Sequence, residues 1–306
     1  MADLDRLLLS TSRTFALAIP CLPEPPRREV GTAYLLFRIA DAFEDAGRWP
    51  REDRLAALGD LGALLRDPSR ARAPQLARRW VAARPCDEEG YLELLGETPG
   101  VLAELDGFTP ARREIIVRHA LRTAEGMAGF VVRADDLGGL KLSSVPELKG
   151  YCYVVAGIVG ELLTDLFLDV EPALEKIAPL LRTRSVAFGE GLQLVNILKD
   201  SEADARDGRV YLPDGVPRRE IFGMARTDLQ AAGEYVLGLQ QAGAPRGFVE
   251  FTALPVLLAH ASLGKIERAG PGSKISRAEV ALLVDGLRRD LDAGRPAVSL
   301  DDRDKE

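Results

Sequence analysis

Asp41, Glu44 and Asp45 stand at i, i+3 and i+4 in the segment DAFED, so on a helix all three face one side. Gln193, Asn196, Asp200 and Asp204 stand at i, i+3, i+7 and i+11 in QLVNILKDSEAD, one stripe down a second helix. Apolar residues flank both stripes: Leu35, Leu36, Phe37, Ile39 and Phe43 around the first, Leu192, Leu194, Val195, Ile197 and Leu198 around the second. Carboxylates on helices this apolar need a compensating charge, and divalent cations carrying a diphosphate supply it. Mg2+ takes hard oxygen ligands and keeps several waters, so it suits carboxylates bridged to substrate phosphates. Arg13, Arg38 and Arg209 are placed to add charge-assisted hydrogen bonds to phosphate oxygens. An apolar interior beyond such a site shields a carbocation from water. Taken alone, carboxylates at this spacing more often form a solvated face; two polar stripes in apolar helices are better accommodated facing each other across a cavity.

The elements that must position these residues are helical nearly throughout. Apolar periodicity predicts helices over 3–18, 27–46, 51–66, 73–83, 87–95, 98–105, 110–133, 144–168, 171–180, 181–204, 217–242, 246–267 and 276–292. Pro20, Pro23, Pro25 and Pro26 end the first of these. Gly126 and Gly129, and again Gly157 and Gly160, mark places where a backbone or ligand approaches closely. Gly208 is a turn residue in the loop DARDGRVYLP. The expected architecture is one all-α domain over 1–293 with a frayed tail over 294–306.

Composition removes other functions. The chain has 306 residues, 46% hydrophobic and 28% charged, as in a globular protein. A formal net charge of −7 with no basic stripe argues against nucleic acid as a partner. With only His119 and His260, a histidine triad or His-rich metal site is not expected. Cys21, Cys86 and Cys152 are scattered outside any CxxC spacing, which points to a reducing, cytoplasmic setting. There is no uncharged apolar run long enough for a membrane span, and the N-terminus does not read as a secretory signal.

The motifs resemble those of the squalene and phytoene synthase family, the head-to-head prenyl transferases. The resemblance covers residues 10 to 285 and rests on STSRTFALAIP (10–20), YLLFRIADAFED (34–45), YCYVVAGIVGELL (151–163) and GLQLVNILKDSEADARDGRVYLP (191–213). FVEFTALPVLLAHASL (248–263) and SKISRAEVALLVD (273–285) are similar to the squalene synthase branch. The resemblance implies an isoprenoid synthase-like helical bundle around a central cavity. It also implies Mg2+-dependent condensation of two farnesyl diphosphates to presqualene diphosphate, then reduction to squalene by NADPH.

Matched by position, Asp41, Glu44, Asp45, Asn196, Asp200 and Asp204 would hold metal, and Ser12, Arg13, Thr14, Gln193, Asn196 and Arg209 would bind diphosphate. Tyr34 and Arg38 would line the site, Tyr151 would serve the first half-reaction and Phe251 the second. Lys274 and Arg277 would meet the NADPH phosphate, although no GxGxxG fingerprint follows a strand anywhere in the chain. Tyr151 and Lys274 with Arg277 are also readable as a packing aromatic and a solvated helix start, and Phe251 on its residue spacing alone reads first as core. The chain departs from the family at Ala203, where the second DxxED motif has Glu; Glu202 lies about 100° round the helix from it. Release of so apolar a product implies loose contact with a membrane surface. The alternatives are a family member making presqualene diphosphate, dehydrosqualene or phytoene, a class I terpene cyclase, or a non-catalytic helical assembly factor.

Overall fold

A computed structural model describes residues 3–12, 14–135 and 138–300. Among these the chain is all-α, and its packing divides it into two compact units. Unit 1 holds residues up to Ile19 and Glu24–Lys141; unit 2 holds Pro20–Pro23 and the chain from Leu142.

Unit 1 contains α1 (Leu4–Thr11), α2 (Phe15–Ala18), α3 (Pro26–Glu44), α4 (Arg51–Arg66), α5 (Ala73–Ala83), α6 (Glu89–Gly96), α7 (Thr98–Asp106) and α8 (Pro110–Arg133). The helix expected over 3–18 is interrupted because Ser12 Oγ accepts from Phe15 N at 3.0 Å, a local bond that competes with helix continuation. Pro26 opens α3, where its missing N–H costs nothing. The helix then runs through Val30, Leu35, Leu36, Ile39 and Phe43, all buried. Phe43 anchors its C-terminal end, 4.8 Å from Trp80 and 6.1 Å from Trp49 between ring centroids. Among the described residues no protein atom outside its own helix backbone lies within 4 Å of a Cβ built on Gly129 of α8, so of the two expected approaches, by a backbone or by a ligand, the first is not made there.

Unit 2 contains α9 (Val145–Cys152), a π-helical segment (Tyr153–Gly157), α10 (Ile158–Val170), a 3-10 turn (Pro172–Ile177), α11 (Ala178–Arg206), α12 (Arg218–Gln241), α13 (Arg246–Ala269) and α14 (Arg277–Asp292). The helix expected over 144–168 is therefore continuous in course but wider by one hydrogen-bond register in its middle. α11 packs against α12, α10, α13 and the π segment. It ends before Gly208, whose φ of +80° suits the turn that follows.

Two stretches are long and apolar enough to cross a membrane by length and composition, Val145–Val170 and Arg246–Ala269. The sequence holds no uncharged run that long; averaging admits residues such as Glu161 and Asp165. In both stretches 61% of the apolar window is buried inside the protein, as in core helices.

Candidate active site

Within unit 1 the acidic stripe sits in the last turn of α3. The Asp41 side chain is 20% exposed and paired with Arg38, Nη1 to Oδ2, at 2.5 Å. Burial pushes the Asp41 carboxyl up to about 6, against the pull of the Arg38 guanidinium; the nearby Asp45 charge adds to the rise. Arg38 lies over the Tyr91 ring at 4.9 Å, and its Nε is buried with no hydrogen-bond partner. Tyr34 lies one turn back, its ring 5.1 Å from Phe15. Burial raises the Tyr34 phenol, while Arg38 and Ser12 lower it.

The three carboxylates of this stripe differ in solvent access. Glu44 is buried at 5%, whereas Asp45, which caps the helix, is exposed. Arg54 donates to the Glu44 carbonyl oxygen, closing the helix end. Ser12 and Thr14 are half-buried at the break between α1 and α2; Arg13 lies outside the described residues.

Within unit 2 the second stripe runs down the C-terminal half of α11. Gln193, Asp200 and Asp204 are half-buried and Asn196 is exposed. Lys199 Nζ donates to Asn196 Oδ1 at 3.0 Å and lies 3.2 Å from Asp200 Oδ2. Ala203, where the family motif has Glu, is exposed, as is Glu202. Arg209 pairs with Asp207 at 3.6 Å. Tyr151 Oη donates to Tyr211 Oη at 3.1 Å, with the rings stacked 4.7 Å apart. Phe251 is 1% exposed, edge-on to Phe167 at 6.2 Å, while Phe167 stacks on Phe248 at 4.2 Å. Lys274 and Arg277 are exposed at the start of α14.

The donor set bears on Mg2+. Among the described residues no three His, Cys, Asp or Glu side chains group closely enough to form a protein-only cage. Mg2+ does not ask for one, since it binds through one or two carboxylates plus substrate phosphates and water. Two observations fit it. A cationic ammonium already stands within hydrogen-bonding range of Asn196 and Asp200, where a hard cation would draw on the same oxygens. In unit 1, Asp41 is a desolvated carboxylate beside an unsatisfied guanidinium N–H suited to a phosphate oxygen. For NADPH the fit reaches only to a phosphate at the two exposed cations. The N-terminus of α14 is already capped by Ser276 and Glu279, with Ser276 N donating to Glu279 Oε2 at 2.6 Å.

One group of residues escaped the sequence reading. The charge of Asp228 on α12 acts on Glu190 on α11, with Lys149 and the buried Cys152 near them. Burial lifts Glu190 to about 7, the Asp228 charge adds to the rise and Lys149 opposes it. The available signal was Glu190, three residues before Gln193. Asp228 becomes its neighbour only because Gly191 admits α12, where a Cβ would lie 3.1 Å from Asp228 Cβ.

A carboxyl raised on folding contributes stability that is full below its unfolded pKa and lost as pH rises through the folded one. Glu190→Gln is therefore expected to leave melting nearly unchanged at about pH 5 and to stabilise by about 1–2 kcal/mol at about pH 8. Thermal melts at both pH values check this; equal effects at both would detach Glu190 from the titration.

The squalene/phytoene synthase family model matches residues 8–284. The chain is 30% identical over 233 residues to a squalene synthase of Botryococcus braunii and 28% identical over 215 residues to a squalene synthase of Ganoderma lucidum. These alignments take in 73% and 70% of this chain but 44% of each relative, so the chain spans less than half the length of the curated relatives it matches. A solved structure of TcSQS with the ligand E5700 superposes with a TM-score of 0.76 at 22% identity, covering 95% of this chain and 87% of that one. That likeness carries the all-α fold.

Proposed function

We propose that this chain, which belongs to the squalene/phytoene synthase family, condenses two farnesyl diphosphates head to head and reduces the product to squalene. The observation that carries the reading is the family match over residues 8–284, which takes in both acidic stripes with Asp41, Asp45, Asp200 and Asp204 in place. A helical scaffold that had lost catalysis would have no need of them.

Mg2+, when bound, neutralises a diphosphate and makes it a better leaving group. In unit 1 Asp41 and the cap residue Asp45, with the buried Glu44 between them in sequence, and in unit 2 Asn196, Asp200 and Asp204 of α11, are the residues that would each offer it oxygens. For diphosphate oxygens unit 1 offers Arg38 Nε with Ser12, Arg13 and Thr14, and unit 2 offers the Arg209 guanidinium with Gln193. Loss of diphosphate from the first substrate leaves an allylic cation. The double bond of the second substrate attacks it, and ring closure releases a proton to give presqualene diphosphate. The diphosphate released in the first ionisation takes that proton, and Tyr151, whose Oη donates to Tyr211 Oη, belongs to this first half-reaction. Tyr34 and its aromatic neighbour Phe15 present apolar surface that keeps water from the cation. Phe251 belongs to the second half-reaction, and Lys274 and Arg277 to the phosphate of NADPH. No hydride step is assigned to side chains, because the fit to that cofactor stops at a phosphate. Contact with a membrane surface would serve release of the hydrocarbon.

Mass spectrometry of products from farnesyl diphosphate and Mg2+, with and without NADPH, tests the proposal. Squalene formed only with NADPH is the expected result. Presqualene diphosphate or dehydrosqualene regardless of NADPH would move the chain to another branch of the family. Turnover of geranylgeranyl diphosphate alone would make it a phytoene synthase, and no turnover of either substrate would leave the non-catalytic scaffold.

A further inference from the structure

Lys199 is not among the residues assigned above to metal or substrate, yet its ammonium reaches two of them. Nζ is 3.0 Å from Asn196 Oδ1 and 3.2 Å from Asp200 Oδ2. Residues adjacent on a helix do not face each other, so a short side chain at position 199 would miss Asp200. The lysine stem leans toward the helix N-terminus and reaches back one turn to Asn196, and the rotatable ammonium then serves both oxygens.

The helix turn from which the stem starts is held from outside. Gly272 N donates to the Lys199 carbonyl at 2.7 Å, and Arg218 Nη2 donates to the Leu198 carbonyl at 2.6 Å. Gly272 has a φ of +77°, which few other residues adopt. The Lys199 side chain is 24% exposed, so the ammonium is partly withdrawn from water and has these oxygens as partners. A hard divalent cation would draw on the same two oxygens, and two cations cannot occupy that position together.

We infer that Lys199 is a tethered cation that holds Asn196 and Asp200 together when no metal is bound and must yield before a divalent ion can bind them. It is a positioning residue that sets the metal affinity of the α11 stripe. The inference rests on the reading of that stripe as a metal site. It also assigns a consequence to the sequence: a positive residue one position before the first aspartate of the motif holds down the affinity for free metal.

The test is titration of the purified full chain with Mn2+ in place of Mg2+, followed by the electron paramagnetic resonance signal of free Mn2+. Wild type, Lys199→Met, Lys199→Arg, Asp200→Asn and the Lys199→Met/Asp200→Asn pair are compared, with circular dichroism to verify helicity. Lys199→Met should bind Mn2+ more tightly by roughly fivefold, the ceiling for a half-exposed ion pair. Lys199→Arg should stay near wild type, and the gain should vanish when Asp200 is Asn. A lysine with a merely structural role would, on removal, leave binding unchanged or weaken it, and either result overturns the inference. If wild type and Asp200→Asn bind Mn2+ equally, or neither binds, the metal reading of α11 fails first and takes the inference with it. If binding depends on Asp200 but not on Lys199, the inference alone fails.

Discussion

Asp200→Asn and, independently, Asp41→Asn are each expected to lower turnover of farnesyl diphosphate by about 10²–10³-fold, the range for removing one stabiliser of developing charge. The amide keeps the shape of the carboxyl and removes the anionic oxygen that a hard cation needs. Stability should change little, for a different reason at each site. Asp200 is 42% exposed and its ion pair with Lys199 lies at the surface, where such pairs contribute at most about 1 kcal/mol. Asp41 has a folded pKa of about 6, so its ionised form is the one the metal-free fold disfavours, and a neutral amide avoids that cost. The same shift predicts that metal affinity in wild type falls as pH is lowered through about 6, because protonation of Asp41 competes with the cation. Steady-state product formation alongside thermal melts separates catalysis from folding. Near-normal turnover in either variant would remove that carboxylate from the metal set.

The long helices and their acidic stripes were legible because each is an amphipathic run with a clear start and stop. Pro26 begins α3, the apolar residues from Val30 to Phe43 are buried, and the acids fall at its end. Access within a stripe was not legible. Spacing puts Asp41, Glu44 and Asp45 on one side, but the helix stops at Glu44, which sinks into the core while Asp45 as cap turns to solvent. Small residues were read as signs of close approach wherever they cluster. At Gly157 and Gly160 α11 crosses, whereas at Gly129 no second backbone among the described residues comes near, because the sequence of one helix does not say where its neighbour lies. The π segment at Tyr153–Gly157 left no mark on the apolar periodicity. Lys199 and the Glu190–Asp228 neighbourhood depend on side-chain reach and on a partner helix, and neither is encoded in periodicity.

Gly160→Ala is expected to destabilise the protein by about 3 kcal/mol or more, at or beyond the upper end for overpacking. A Cβ at Gly160 would lie 1.8 Å from the Ser185 carbonyl oxygen, and one at Gly189 would lie 2.0 Å from that of Ala156. The obstruction in both cases is backbone. Ser185 stands inside the 29 residues of α11, and Ala156 inside the π segment, so neither oxygen can swing aside as a side-chain tip would. The contact is reciprocal, a glycine of each segment admitting a carbonyl of the other, and one methyl group on either side must push the helices apart. The expected fall in melting temperature is roughly 10 °C, at about 2–4 °C per kcal/mol for a protein of this size. Gly129→Ala supplies the opposite sign. It sits in α8 with nothing within 4 Å of the added Cβ, so the better helix propensity of alanine should stabilise by up to about 1 kcal/mol. If Gly160→Ala proved neutral, the close crossing of α10 and α11 would be wrong. That crossing matters for chemistry as well as stability. Tyr151 lies two residues before the π segment, and Gly189 lies four before Gln193, so the glycine contacts set the height of the candidate tyrosine against the acidic stripe of α11. A variant that separates the helices should therefore lose turnover even at temperatures where it remains folded.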